Sequence, residues 1–513
     1  MRAKEMTAGS VLAPLLAVIV FAVLLQFITR FHAMEDSDYL LISIMSYTRP
    51  TLYYWGQDQY LNLVPFLFSF LHDPETNLVA ITAFHLIALL QMGAVAGAIA
   101  IPREHWLFWT LSIGFLSFLN GRFWYDACYQ PYAMALFTLL LGMSLFRAAD
   151  TAPKRTWRWI LTAASAALAL IAVQVAQPVI VPAVCWVIFL GTKESRTGNE
   201  DRATGHWRRR SDAVSRIGLW VFFFAAFAAL FLVGQRAVFA HSRPAHRLIQ
   251  VVPRQAIAAL FILWRNFRAH YAIPAKLSLL LIGVQVAGYA VAIYARRLSV
   301  IFRSVALFLL PALLMALGMA SLDWVANSQF HPRYLFPSIF LIKMNTAYLV
   351  CEAKQLWRAP RWVSSLASAS LLTAALIAIS LSLGLSPLES VRRRIAETFP
   401  IEPLAAAADD LDGVAGDYWK VWPAVWLLNA YGRQEVLGVT LRGDSILDLL
   451  KARAHAKGHL RLAGYRGDDQ VNNWIHASFP LMPVGSVQEK RGFVFVEISE
   501  PGNLGAPGAA TPP

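Results

Sequence analysis

The chain has 513 residues, 57% of them hydrophobic and only 15% charged, against roughly 25% charged in soluble domains, which excludes an ordinary soluble enzyme. Its 45 Lys+Arg against 31 Asp+Glu leave a formal net charge of +14, and on so apolar a background that excess reads as membrane topology rather than nucleic-acid binding. Cys128, Cys185 and Cys351 lie far apart and form neither a disulfide framework nor a metal-ligand spacing.

After a basic start (Arg2, Lys4), residues 11–28 form a charge-free apolar run, close to the roughly 20 residues a spanning helix needs. It lacks a small-x-small cleavage site and more such runs follow, so it reads as a retained first helix and not a removed signal peptide. Further spans are expected over 77–100, 105–119, 130–146, 157–173, 176–190, 217–235, 276–294, 305–319, 334–350 and 362–385, about eleven in all. An odd number puts the termini on opposite sides. With a cytoplasmic N-terminus, the basic clusters at 147–158, 193–216 (with Arg208, Arg209 and Arg210), 296–303 and 354–361 all fall inside. The acids Glu35, Asp36, Asp38, Asp58, Asp73, Glu75, Asp126 and Asp323 then fall outside.

Three outer segments exceed a tight turn: 30–76, 236–275 and everything after 385. Residues 255–268 (QAIAALFILWRNFR) suit a helix lying in the membrane interface. After residue 385 the balance turns to 13 Lys+Arg against 15 Asp+Glu, and this break separates a polytopic domain (1–385, with its large first outer loop 30–76) from an extracytoplasmic, periplasmic domain (386–513). Strands are expected at 435–442 and 492–498 and a helix at 445–456, giving a small α/β domain whose Pro/Ala/Gly tail, 502–513, is expected to be disordered.

Several outer clusters carry chemistry. Glu35, Asp36 and Asp38 place three carboxylates in four residues, where mutual repulsion beside a low-dielectric boundary raises at least one pKa, as a general base needs. Asp36, flanked by both others, is the preferred base, with Asp38 orienting it or the acceptor. The stretch 53–60 combines aromatic rings with Gln57, Asp58 and Gln59; Tyr54, Gln57 and Asp58 are the groups expected to meet a sugar ring. Arg122 and Asp126 share an outer turn, where they either pair with each other or meet substrate. His331 and Arg333 head the tenth span, Arg being suited to bidentate phosphate contact. Lys343 lies ten residues deeper, about 15 Å along a helix, a costly depth that calls for a polar cavity or a carboxylate partner. No Walker-type, HExxH, GxSxG or Gly-rich dinucleotide motif occurs, which disfavours ATP-driven transport and zinc proteolysis.

A basic-in N-terminus, one helix, an outer loop opening with the acids Asp36 and Asp38, about eleven spans, the Arg333-Tyr334-x-x-Pro337 element and an outer C-terminal domain together resemble the GT-C superfamily of polyprenyl-phosphate-sugar-dependent membrane glycosyltransferases over roughly residues 8–385. The resemblance implies a GT-C-like α-helical polytopic fold in the inner membrane and an inverting sugar transfer from a polyprenyl-phosphate donor to an extracytoplasmic glycan, lipid or protein acceptor. It implies an acid of the first outer loop, Asp36 or Asp38, as base, though Ser37 interrupts the adjacent acidic pair commoner in the family. A divalent metal is left open, and no metal site or nucleic-acid partner is expected. The stretch Asp417-Tyr418-Trp419-Lys420 resembles one in uncharacterised bacterial members and implies membership without a role. Two alternatives stand beside this reading. One is a lipid-linked glycan polymerase or ligase, with more weight on Arg122 and Arg243. The other is a non-enzymatic transporter of polar solutes or lipids, which calls for broken helices and several polar residues at mid-depth, where the sequence offers Lys343 alone.

Overall fold

A bilayer offers no partner for backbone N–H and C=O groups, so long apolar runs satisfy them internally as helices. The computed structural model describes residues 37–50, 63–82, 131–152, 154–192, 205–238, 256–322, 329–356, 391–399, 411–431, 435–440, 447–467, 484–490 and 492–499, with isolated positions between them. The longer helices are α1 (Ser37–Tyr47), α2 (Pro131–Thr151), α3 (Arg155–Val175), α4 (Ile180–Thr192), α5 (Gly205–Val238), α6 (Ala256–His270), α7 (Ala272–Tyr294), α8 (Leu298–Ala320), α9 (Phe336–Leu356), α10 (Tyr418–Ala430) and α11 (Leu447–Lys457). Among the described residues five stretches are long and apolar enough to cross a membrane: Tyr132–Ala149, Arg155–Val175, Val214–Val233, Leu298–Ala320 and Pro332–Ala353. The helices expected at 130–146, 157–173, 217–235, 305–319 and 334–350 match these five. Those expected at 176–190 and 276–294 form as α4 and α7, whose apolar parts are shorter. The spans expected over 11–28 and 362–385, nearly all of 105–119 and most of 77–100 lie outside the described residues, as does the tail 502–513.

The described residues divide into two compact units, one drawn from Ala83–Ala237 and Leu248–Ser386 and the other from Arg30–Thr82 and Pro387–Pro513. In the first, the Pro332–Ala353 stretch is 89% buried and the Val214–Val233 stretch 6%, so α9 is the central helix and α5 stands at the rim, with Phe222, Leu230 and Val233 bare where lipid is the natural solvent. α7 and α8 both pack on α9. Between Val305 and Leu309, α8 loosens into a π-helix. The indole of Trp186 donates to the Leu307 carbonyl at 2.6 Å, satisfying an oxygen inside the span that the widened ladder loosens.

The second unit is built on a five-stranded sheet of β1 (Gly413–Gly416), β2 (Leu437–Thr440), β3 (His459–Tyr465), β4 (Val484–Lys490) and β5 (Phe493–Ser499) in the order β2-β1-β3-β5-β4. β1 pairs parallel with β2 and β3, while β5 pairs antiparallel with β3 and β4. The strands expected at 435–442 and 492–498 are β2 and β5, and the helix at 445–456 is α11. Gly438 makes room for α10: a Cβ there would lie 2.3 Å from Trp422 Cζ3.

α1 belongs to this second unit. Every residue from Ser37 to Ser46 is buried, and α1 packs on α10 although the two are some 380 residues apart. Asn77 ties the rest of the loop together: it accepts from Ser43 Oγ at 2.9 Å and donates to Ser46 Oγ and to the Phe68 and Leu71 carbonyls.

Candidate functional site

Two groups of candidate residues are described, one in each unit. In the membrane unit the chain reaches α9 through a strained turn: Gln329 and Phe330 both take left-handed backbone, φ +55° and +52°, a conformation that costs a non-glycine residue roughly 1–2 kcal/mol. The turn is held from α6. Asn266 Nδ2 donates to the Gln329 and Phe330 carbonyls at 3.1 Å each, while the Phe330 N–H donates to Val325 O at 2.9 Å. Strain of this kind persists only where the surroundings impose it, and it clusters at functional sites.

What the turn presents is a set of nitrogen groups at the mouth of the central helix. His331 caps the 3-10 turn Pro332–Leu335, its Nδ1 accepting from the Arg333 backbone N–H at 3.3 Å. That assigns the ring proton to Nε2. The His331 ring stacks on His270 of α6, centroids 6.1 Å apart. Burial first, then the positive fields of Arg333 and His270, lower its pKa to about 4, so at neutral pH His331 is an uncharged N–H donor. The Arg333 guanidinium lies 5.3 Å from the Tyr334 ring centre. An anion at this turn would meet one guanidinium and one neutral imidazole donor.

Deeper in α9, Lys343 is 1% exposed. Among the described residues no carboxylate pairs with it, so the ion pair that its depth suggested is not found there. It is also not alone at that depth. Tyr289, Ser304 and Asn345 close a ring in which Asn345 Nδ2 donates to Tyr289 OH at 3.0 Å, Tyr289 OH and Ser304 Oγ lie 2.5 Å apart, and Ser304 Oγ donates to Asn345 Oδ1. Gln285 Nε2 donates to Thr346 Oγ1 at 2.8 Å and to Ile342 O at 2.9 Å. The expectation of a single polar residue at mid-depth is therefore corrected: hydroxyls and amides look innocuous one at a time in sequence, and only helix packing gathers them.

In the second unit Asp38 lies in the first turn of α1, 6% exposed, so it is no solvated cap. Tyr418 OH donates to its Oδ1 at 2.5 Å. Ser37 Oγ donates to the Trp419 carbonyl at 3.0 Å. Asp417 starts α10 by accepting from the Trp419 N–H at 3.0 Å, the short-range carboxylate cap favoured at helix starts. The stretch Asp417-Tyr418-Trp419, to which sequence assigned no role, is thus the partner of the acidic loop.

Asp36, Tyr54, Gln57, Asp58, Arg122 and Asp126 lie outside the described residues. His331 and Arg333 come together as their spacing suggested, joined by His270 and Asn266 from the outer segment 236–275, where neither residue was singled out. The string RNFRAH ending α6 was the available signal. Among the described residues no cluster of His, Cys, Asp and Glu suits a metal ion. No known family model matches the chain and no curated protein proved similar to it.

Proposed function

We propose that the chain is an inner-membrane glycosyltransferase of about eleven spans, N-terminus cytoplasmic and C-terminal domain outside, that moves a pentose or hexose from a polyprenyl-phosphate donor to an extracytoplasmic acceptor with inversion. In the reaction the acceptor oxygen bonds to the sugar's anomeric carbon as the bond from that carbon to the phosphate oxygen breaks. The acceptor proton passes to a carboxylate of the first outer loop, Asp36 by preference, and the lipid phosphate departs with the bonding pair. Arg333 matches the charge on that phosphate and His331 donates a neutral hydrogen bond to it, interactions worth most in a site that excludes water. Lys343 supplies a further positive group along α9, and Tyr54, Gln57, Asp58, Arg122 and Asp126 are the proposed sugar and acceptor contacts.

The observation that carries this reading is the pinned turn: two left-handed residues, tied down by Asn266, deliver His331 and Arg333 at the start of the most buried apolar helix, where a lipid-borne phosphate arrives. The test is turnover of polyprenyl-phosphate pentose and hexose by the purified protein. Arg333→Ala should remove it while Arg333→Lys rescues only part, and normal transfer by the alanine variant would reduce Arg333 to an interface anchor.

A transporter is the second reading, favoured by the mid-depth polar side chains of α7–α9 and the π segment of α8. Their hydrogen bonds are largely met by one another, which weighs against a solute site. Uptake of polar solute into vesicles without consumption of donor lipid would favour it.

A further inference from the structure

We infer that Tyr418 is a positioning residue for the acidic first outer loop, and that α10 acts as a clasp holding α1 in the arrangement the reaction uses; the positioning half of this rests on the glycosyltransferase reading, the clasp half on geometry alone. α1 and α10 lie parallel, tied at both ends. At the leading end are the Tyr418–Asp38 bond of 2.5 Å and the Ser37–Trp419 bond of 3.0 Å. At the trailing end Asn429 Nδ2 donates to Tyr47 OH at 3.3 Å, and the same amide spans the Val436 backbone, accepting from its N–H at 2.9 Å and donating to its carbonyl at 3.2 Å. Burial pushes the Tyr47 phenol above its ordinary pKa.

Between the ends the packing leaves α1 no independent existence. An eleven-residue helix is too short to hold itself in water, and Leu40, Leu41, Ile44 and Met45 are fully buried. The backbone that follows Asp36 therefore depends on what α1 packs against: α10 along its length, with Asn77 and Pro65 holding Ser43 and Ser46. Tyr418 sits where this matters most, since its hydroxyl donates to a buried carboxylate, the kind of hydrogen bond whose loss is dear because the charge remains. Asp38 accordingly belongs with the positioning groups, and Asp36, which precedes Ser37 in sequence, stays the preferred base.

The experiment compares full-length wild type with Tyr418→Phe and Ser37→Ala, each removing one hydroxyl without changing packing volume much. Amide hydrogen exchange of Ser37–Tyr47 reads the clasp: Tyr418→Phe should speed it about tenfold and Ser37→Ala less, with Arg155–Val175 unchanged. Unaltered exchange in both variants overturns the clasp. Kinetics with a polyprenyl-phosphate pentose or hexose that wild type consumes reads the positioning: Tyr418→Phe should lower kcat about tenfold at constant donor KM, and Asp38→Asn with Tyr418→Phe should be no slower than Asp38→Asn alone. Faster exchange with unchanged kcat, or additive losses in the double variant, overturns positioning. A wild type that consumes none of these donors defeats the glycosyltransferase reading, and the positioning claim with it, while the exchange result still decides the clasp.

Discussion

Removing the Asn266 carboxamide should release the turn that carries His331 and Arg333. Asn266→Ala deletes two hydrogen bonds of 3.1 Å, to the Gln329 and Phe330 carbonyls. Each is worth about 1 kcal/mol net, and one of them is exposed, so their combined loss is about 1–2 kcal/mol. The backbone strain of Gln329 and Phe330, at φ +55° and +52°, then drives the turn away from its native form instead of being overruled. Since 1.4 kcal/mol is a factor of ten, amide exchange across 329–335 should rise roughly 5- to 30-fold in the full-length protein, with α2 and α3 unaffected. Gln329→Gly, which relieves one left-handed residue, should recover part of that rise when combined with Asn266→Ala. Donor-lipid turnover should fall in step with the opened fraction. Wild-type exchange at 329–335 in Asn266→Ala would refute the claim that α6 holds the turn, whatever the variant does to turnover.

His331→Gln keeps an uncharged N–H donor and should retain more transfer at pH 7 than His331→Ala. Because the folded-state pKa of His331 is lowered to about 4, its contribution to stability is complete above about pH 6.5 and is lost as pH falls toward 4; melting curves of His331→Gln should accordingly lose less stability over that interval than wild type. Gly438→Ala drives a methyl into Trp422, 2.3 Å from its Cζ3, and should destabilise the sheet-containing unit by about 1–3 kcal/mol, seen as faster proteolysis after α9 with the membrane helices intact. Asp412, 1% exposed, accepts from Lys457 Nζ at 2.6 Å and from the Arg461 N–H at 3.0 Å; Asp412→Ala should cost about 1–3 kcal/mol, chiefly by leaving the Arg461 N–H without its acceptor, measured as lost abundance.

Apolar runs were legible because a bilayer leaves a long charge-free segment one structural option, and so the described spans fall where composition puts them. β2, β5 and α11 were legible from alternation and period. The partnership of α1 with α10 was not, since Asp38 and Tyr418 are separated by some 380 residues and neither position advertises the other. Composition also gives no hint that Ser37–Ser46 is buried throughout: SDYLLISIMS carries hydroxyls on several faces, and those of Ser37, Ser43 and Ser46 find their partners only in the folded unit. For the same reason Gln285, Tyr289, Ser304, Asn345 and Thr346 looked incidental one by one. Arg333 and His331 could be found because they are two residues apart in sequence, whereas His270 and Asn266 reach them through helix packing.

The central claim is that the chain transfers a sugar from a polyprenyl phosphate using an acid of its first outer loop. Its most direct test is release of polyprenyl phosphate from labelled pentose and hexose donors by purified full-length protein, with Asp36→Asn and Asp38→Asn made at matched abundance. The account predicts turnover by wild type, a fall on the order of 10² to 10⁴ in Asp36→Asn, as for the loss of a positioned base, and a smaller fall in Asp38→Asn. Full turnover in both variants, or no release from any donor by wild type, would contradict it.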